Sequence, residues 1–366
     1  MRLTLFMTRG MSLEAWDKAG MIDRELALYR RLQERKVKVG IVSYGGPSEL
    51  SYADHLPGLK IMCNRWRLPA SWYERLIPWL HGSWLRRSNV LKTNQINGGL
   101  TALRAARLWG KPLIVRCGYL LSDSLAGKAG VNTALAMEVS LFAAARRVVV
   151  TTQAMADDVA RRLPQAGSKT TVIPNYVDTD LFRPDRDAKK DIDVLFIGRL
   201  AEQKNIEELL KAVAPMKATV AIVGDGPLRG PVEQAQTDQG NRLCWVQRMA
   251  GKDIPELMSR AKVFILPSHW EGHPKALIEA MACGLPVIGG DSPGIREVIN
   301  HGVTGWLSGI DHQAIREAIT FILGNPELCG ALGSNARAHV VANYSLNMIV
   351  EKEWALLREL CGQCEG

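Results

Sequence analysis

Two glutamates, Glu271 and Glu279, stand in the stretch VFILPSHWEGHPKALIEAMACGLPVIGG (263–290). The run VFILPS predicts a strand, and KALIEAMAC (275–283) predicts a helix directly after it. Ligands of open α/β sheets bind beyond the C-terminal ends of strands, so SHWEGHP lies at such an edge. Pro274 can open the helix, where its missing N–H costs nothing. The amides of Lys275, Ala276 and Leu277 then lack intrahelical partners at the positive end of the helix dipole. That is a site for a diphosphate. Gly272 permits close backbone approach. Two acids beside an anion site are suited to accepting hydrogen bonds from hydroxyls rather than to binding phosphate. A nucleoside diphosphate sugar offers hydroxyls on both sides of its diphosphate, on the ribose and on the hexose. The alternative leaves Glu271 a solvated loop acid and Glu279 a helix-surface acid. A second group follows the strand DVLFIGRL (193–200): beyond Gly198 come Arg199 and Lys204, five residues apart. They are either cations for the same diphosphate or ordinary solvated charges.

Positioning such groups takes strands alternating with helices, and the chain has that rhythm twice. Strands are expected at 2–8, 37–44, 59–64, 89–94, 112–118, 147–152 and 170–175, with helical patterns between most of them. A second series is expected at 193–200, 218–224, 242–246, 263–268 and 285–290. The pattern predicts two α/β units with parallel sheets covered on both faces. The boundaries read as 1–172, a linker over 173–192 with two prolines, and 193–344. The last helical pattern, 346–360, has no strand after it and is expected to return, as residues 345–366, to the first domain.

The motifs around the two glutamates resemble the E-x7-E motif of the family 4 glycosyltransferases. VIPNYVDTDLFRP (172–184), FIGRLAEQKNIEELLKA (196–212), IVGDGP (222–227) and GIREVINHGVTGWL (294–307) are similar to further family patterns, in the family's order. The resemblance covers most of residues 170–307. It implies the GT-B fold: two Rossmann-like parallel-sheet domains facing across a cleft, acceptor on the first and nucleotide sugar on the second. It also implies a retaining hexose transfer. By position, Arg199 and Lys204 match the basic pair that neutralises the donor diphosphate. Glu279 matches the acid that holds the ribose, and Glu271 the acid that faces the donor sugar. Gly198 and the run Gly272, His273, Pro274, Lys275, Ala276 and Leu277 match the donor-binding loops. Gly224 and Gly226 read as turn glycines with a structural task.

The first domain departs from the family. The place of its glycine-rich loop reads TRGMS (8–12), where Gly10 permits a turn and Arg9 can meet a phosphate. The place of its histidine, in KPLIVRCGYLLSD (111–123), holds Arg116, either a substrate contact or a structural arginine. The remaining histidines of this half, His55 and His81, sit at no strand end.

Net charge is +9, which favours an anionic partner. NRWRLPASWYERLIPWLHGSWLRRSNVLK (64–92) mixes Trp66, Trp72, Trp79 and Trp84 with five arginines. That composition suits an anionic membrane surface or a glycan groove; the plainer reading is an amphipathic helix packed on a core. The expected acceptor is a glycan or lipid-linked hydroxyl. No helix-turn-helix, RNA-recognition or zinc-finger signature speaks for nucleic acid. No apolar run approaches the roughly 18 residues of a membrane span, and the start reads as a strand, not a secretory signal. Seven scattered cysteines fit reduced thiols in the cytoplasm, and the lone CxxC, Cys361 and Cys364, is a weak metal signal. Neither cofactor nor metal is expected. GDGPLRG lacks dinucleotide spacing, which argues against a nicotinamide enzyme. A sugar-nucleotide epimerase and a catalytically inactive nucleotide-sugar-binding subunit remain as alternatives.

Overall fold

The computed structural model describes residues 1–362 except 55, 56, 126, 128 and 186, so His55 and Cys364 lie outside the described residues. The chain divides into two compact units, Met1–Pro174 with Ile349–Gly366, and Asn175–Met348.

The first unit holds seven strands: β1 (Arg2–Phe6), β2 (Lys38–Val42), β3 (Lys60–Met62), β4 (Val90–Thr93), β5 (Leu113–Cys117), β6 (Arg147–Val150) and β7 (Thr170–Val172). Their order is β3-β2-β1-β4-β5-β6-β7, and every pairing is parallel. The central strands are buried on both faces, which is why they read as continuous apolar runs instead of alternating ones. The order reverses between β1 and β4. That switch point opens a crevice where the loops after the two strands part.

The second unit holds β8 (Ile192–Ile197), β9 (Val220–Val223), β10 (Leu243–Val246), β11 (Ala261–Leu266), β12 (Val287–Gly290) and β13 (Trp306–Ser308). The order is β10-β9-β8-β11-β12-β13, again parallel throughout. Here the switch lies between β8 and β11. Their following loops are the two that carry the sequence-predicted cations and acids. β13 was not foreseen: its three residues stand between Gly305 and Gly309, with no longer apolar run to mark them.

The 173–192 passage is not a free linker. From Asn175 onward it is part of the second unit, with Val177 and Phe182 inside that unit's core. The amide of Val177 donates to the Tyr344 carbonyl at 3.0 Å, and that of Leu346 to the Val177 carbonyl at 2.8 Å. Arg337 reaches the carbonyls of Phe182 and Thr179. An exposed polar composition hid these few apolar anchors.

The last helix, Leu346–Gly362, contributes Ile349 onward to the first unit. Its Glu353 is fully buried and accepts from Lys92 Nζ of β4, also fully buried, at 2.5 Å. Arg116 Nη1 lies 3.8 Å from the same carboxylate oxygen. Burial pushes the Lys92 ammonium below its ordinary range, while the Glu353 charge opposes the shift. Exposed pairs, Arg35 with Glu351 and Arg147 with Glu359, flank the cluster. No helix among the described residues is long and apolar enough to cross a membrane.

Candidate donor site

The loop after β8 begins with Gly198 and the exposed Arg199. It then makes one short 3-10 turn and enters the helix Ile206–Val213 through Asn205. Asn205 sits in the left-handed region, at φ 56°, which asparagine tolerates better than most residues. Its buried side chain donates to the carbonyls of Pro267 (3.2 Å) and Ile310 (2.6 Å). Gln203 adds a second clasp: its Nε2 donates to the Trp270 carbonyl at 2.8 Å, and its own carbonyl accepts from the His269 amide at 3.0 Å. Lys204 lies between these two clasps. Its ammonium donates to Glu271 Oε1, with both side chains largely buried. The loops after β8 and β11 are therefore locked together around a cation–carboxylate couple.

Glu271 is thus not a solvated loop acid. Its amide donates to the Pro293 carbonyl at 3.0 Å. Gly294, at φ 80°, lies directly beneath: a Cβ there would stand 2.1 Å from the Glu271 carbonyl oxygen. Gly224 and Gly226 serve in the same way across the neighbouring strand end. Cβ atoms on them would meet the carbonyl oxygens of Gly198 at 1.8 Å and Leu200 at 2.3 Å. The structural reading of those two glycines stands on this contact.

Pro274 takes the position just before the helix Lys275–Ala282, at φ −72° and ψ 108°. The Ile278 amide makes the first backbone bond of this turn, to the Pro274 carbonyl. The amides of Lys275, Ala276 and Leu277 therefore form the dipole-positive first turn, as the sequence predicts. Glu279, one turn on, is 3 % exposed, which removes the surface-acid reading. His273 differs from its expected place. Its ring is buried and packs edge-on against Tyr344 at 4.7 Å, while its carbonyl accepts from Asn175 Nδ2. The site keeps the backbone of His273 and turns the imidazole into the core.

Two expected donor contacts, Arg116 and Gly10, belong to the first unit. Arg116 lies beside Glu353 and donates to the Ile173 carbonyl at 3.4 Å. A guanidinium taken out of water needs such partners, and here the returning helix supplies them. Gly10 turns the chain after β1 at φ 76°, as expected, but its neighbour Arg9 is tied to Glu74 at 2.9 Å. His81 is buried and hydrogen-bonded to Tyr73 Oη at 2.9 Å. Burial, then the charges of Arg65 and Lys60, hold it down to about 4, so it is a neutral packing residue. Sequence reasoning missed Gln203, Asn205 and Gly294. The only sequence signal for them was their place beside a strand end.

Two family models match adjoining parts of the chain: Glycosyltransferase Family 4 over residues 26–181 and Glycosyl transferases group 1 over 178–339. The alpha-maltose-1-phosphate synthase of Mycobacterium tuberculosis is 27 % identical over 263 residues, 63 % of this chain and 68 % of that protein. Among solved structures, sucrose-phosphate synthase from Thermosynechococcus elongatus superposes with a TM-score of 0.82 at 21 % identity, covering 99 % of this chain and all of that one. HepE of Anabaena, in complex with UDP, superposes with a TM-score of 0.77 at 21 % identity, covering 98 % of this chain and all of that one. Two Rossmann-like parallel-sheet units with this site at a switch point define the GT-B class. The chain belongs to the family 4 glycosyltransferases.

Proposed function

We propose that this glycosyltransferase moves a hexose, with retention, from a nucleoside diphosphate sugar to an acceptor hydroxyl. The products are glycans, lipid-linked oligosaccharides or polysaccharides, made in the cytoplasm at the inner face of a membrane that residues 64–92 contact. The observation that carries the donor part is the Lys204–Glu271 couple, clasped beside a helix N-terminus at the switch point of the second sheet. As the bond from the sugar's anomeric carbon to the β-phosphate oxygen breaks, its electron pair goes to that oxygen. Arg199, Lys204 and the first turn of Lys275–Ala282 meet the growing charge in a site already organised for it. Glu271 then faces the sugar hydroxyls and Glu279 the ribose. This electrostatic set serves the leaving group without a metal. The acceptor oxygen forms the new bond to the anomeric carbon on the face the leaving group vacates, and its proton passes to the departing β-phosphate oxygen.

The test is thermal stabilisation of the purified protein by UDP, GDP, ADP and TDP and their hexose conjugates. UDP comes first because HepE, of the same fold, was solved with it. A ligand at 100 times its dissociation constant adds about 2.7 kcal/mol. One nucleotide family is expected to stabilise the wild type, and Arg199→Ala or Lys204→Ala to lose the effect. If no nucleotide stabilises the wild type at saturation, the donor reading is wrong. Stabilisation without hydrolysis or transfer of any donor would instead mark a nucleotide-binding subunit without catalysis.

A further inference from the structure

The tryptophan helix, Ala70–Leu80, is apolar on two opposite faces. Tyr73 and Ile77, one turn apart, are buried against the core of the first unit. Trp72, Arg75, Leu76 and Trp79 follow the i, i+3, i+4, i+7 spacing of a single outer stripe. Trp72 is 59 % exposed and Trp79 60 % exposed, so the fold uses neither to fill its core. The other two tryptophans of the segment are engaged. Trp84 Nε1 donates to Thr4 Oγ1 at 3.0 Å, and Trp66 lies against Arg65 and His81.

The helix Gly99–Trp109 packs alongside in the same direction. Thr101 donates to Glu74 near one end, and Trp109 Nε1 donates to the Pro78 carbonyl near the other. Its outer stripe is Leu100, Arg104, Arg107 and Leu108, all exposed. The two stripes together present tryptophan, leucine and arginine on the outer sides of neighbouring helices. Charge on this part of the chain is one-sided. Between Asn64 and Pro112 there are nine Lys and Arg and a single acid, Glu74. One of the nine, Lys92, is buried on Glu353, which leaves eight cations against that single acid. Glu74 is itself held by Arg9 and Thr101, so no exposed acid interrupts the face.

We propose that the paired outer stripes of Ala70–Leu80 and Gly99–Trp109 dock this protein on an anionic lipid bilayer, with Trp72 and Trp79 seated at the headgroup level. This rests on the membrane side of the function proposed above and names the face that performs it. Tryptophan is at home where one edge of the ring is wet and the other apolar. Arginine buries its stem along the apolar layer and leaves its charge among lipid phosphates. A glycan groove calls for concavity, whereas the surface of a helix pair bulges outward. The Arg9–Glu74 pair ties the tryptophan helix to the loop after β1. The face thereby holds the switch-point edge of its own unit near the bilayer, where a lipid-borne acceptor presents its headgroup.

The experiment is flotation of the full chain with phosphatidylcholine vesicles, with and without phosphatidylglycerol, at low salt. Wild type, Trp72→Ala/Trp79→Ala and Arg75→Gln/Arg104→Gln/Arg107→Gln are compared, each checked for unchanged melting temperature and unchanged nucleotide stabilisation. Wild type is expected to float with the anionic vesicles and not with the neutral ones. The tryptophan pair should weaken partitioning by about tenfold or more, and each lost arginine by about fivefold. Wild type left unbound, or bound equally to neutral lipid, overturns the proposal. Flotation of the tryptophan variant like wild type also overturns this face, while leaving membrane contact through another surface. A wild-type dimer that the tryptophan substitutions dissolve overturns it too, because a second copy then covers the stripes. Nucleotide stabilisation that persists in every variant shows that failure here is separate from failure of the donor site.

Discussion

Glu271, which the proposed reaction sets against the donor sugar, is held from three directions where a flexible side chain would otherwise wander. Lys204 takes its charge, the Pro293 carbonyl takes its amide, and the loop around it rests on Gly294. Gly294→Ala is the sharpest probe of that arrangement. The new methyl meets backbone, which cannot swing aside, and it forces alanine into the left-handed region. We expect a stability loss of about 1–3 kcal/mol and a larger loss of nucleotide-induced stabilisation, measured by thermal shift. Wild-type stabilisation by the nucleotide in this variant would show that the 271–272 loop adapts and that Gly294 does not set it.

Elements are joined in the first unit by one buried ion cluster. Lys92 comes from β4, Arg116 from β5 and Glu353 from the terminal helix, so the cluster fixes where that helix returns. Removing Glu353 leaves a buried cation without its partner. Glu353→Ala should cost about 3–5 kcal/mol in urea denaturation, limited by loss of the Lys92 proton, whose affinity burial already lowers. The double change Lys92→Met/Glu353→Leu should return most of that, since apolar pairs often replace buried ion pairs at little cost. A single-variant cost below about 1 kcal/mol would be the value of an exposed pair and would contradict the burial argument. The same scale explains a misreading in the sequence. Trp84 belongs to a run of similar tryptophans, yet its indole turns inward to Thr4 while Trp72 and Trp79 do not. Composition cannot tell the two faces of a helix apart until something packs on one of them.

At the scale of the whole molecule, the Lys204–Glu271 couple lies in the second unit and the basic, tryptophan-bearing segment in the first. On the proposed donor site, where cations and a helix terminus take the diphosphate, transfer activity should survive chelation by EDTA with a loss smaller than about twofold, within the reach of the electrostatic argument. A collapse reversed by added magnesium or manganese would put a divalent ion on the diphosphate and demote Arg199 and Lys204 to supporting roles. All seven strands of the first sheet and five of the six in the second were legible as apolar runs between helices. β13 escaped because glycines bound its three residues, and the anchoring of Val177 and Phe182 escaped because a lone buried residue leaves no period to read.

The linear chain by itself determined the parallel α/β architecture and put the candidate site residues at strand ends. Buried parallel strands demand unbroken apolar runs, and a strand end followed by a helix start puts amides and charges at one edge. Glu271, Glu279, Arg199 and Lys204 could be chosen on those grounds. Only the tertiary structure decided which strand ends become neighbours. The order β10-β9-β8-β11-β12-β13 sets β8 beside β11, bringing Lys204 onto Glu271 across 67 residues of sequence. It also decided that Arg116 stands beside Glu353 and that the His273 ring turns into the core. Such choices depend on which partner satisfies a charge or fills a space, and that partner lies far away along the chain.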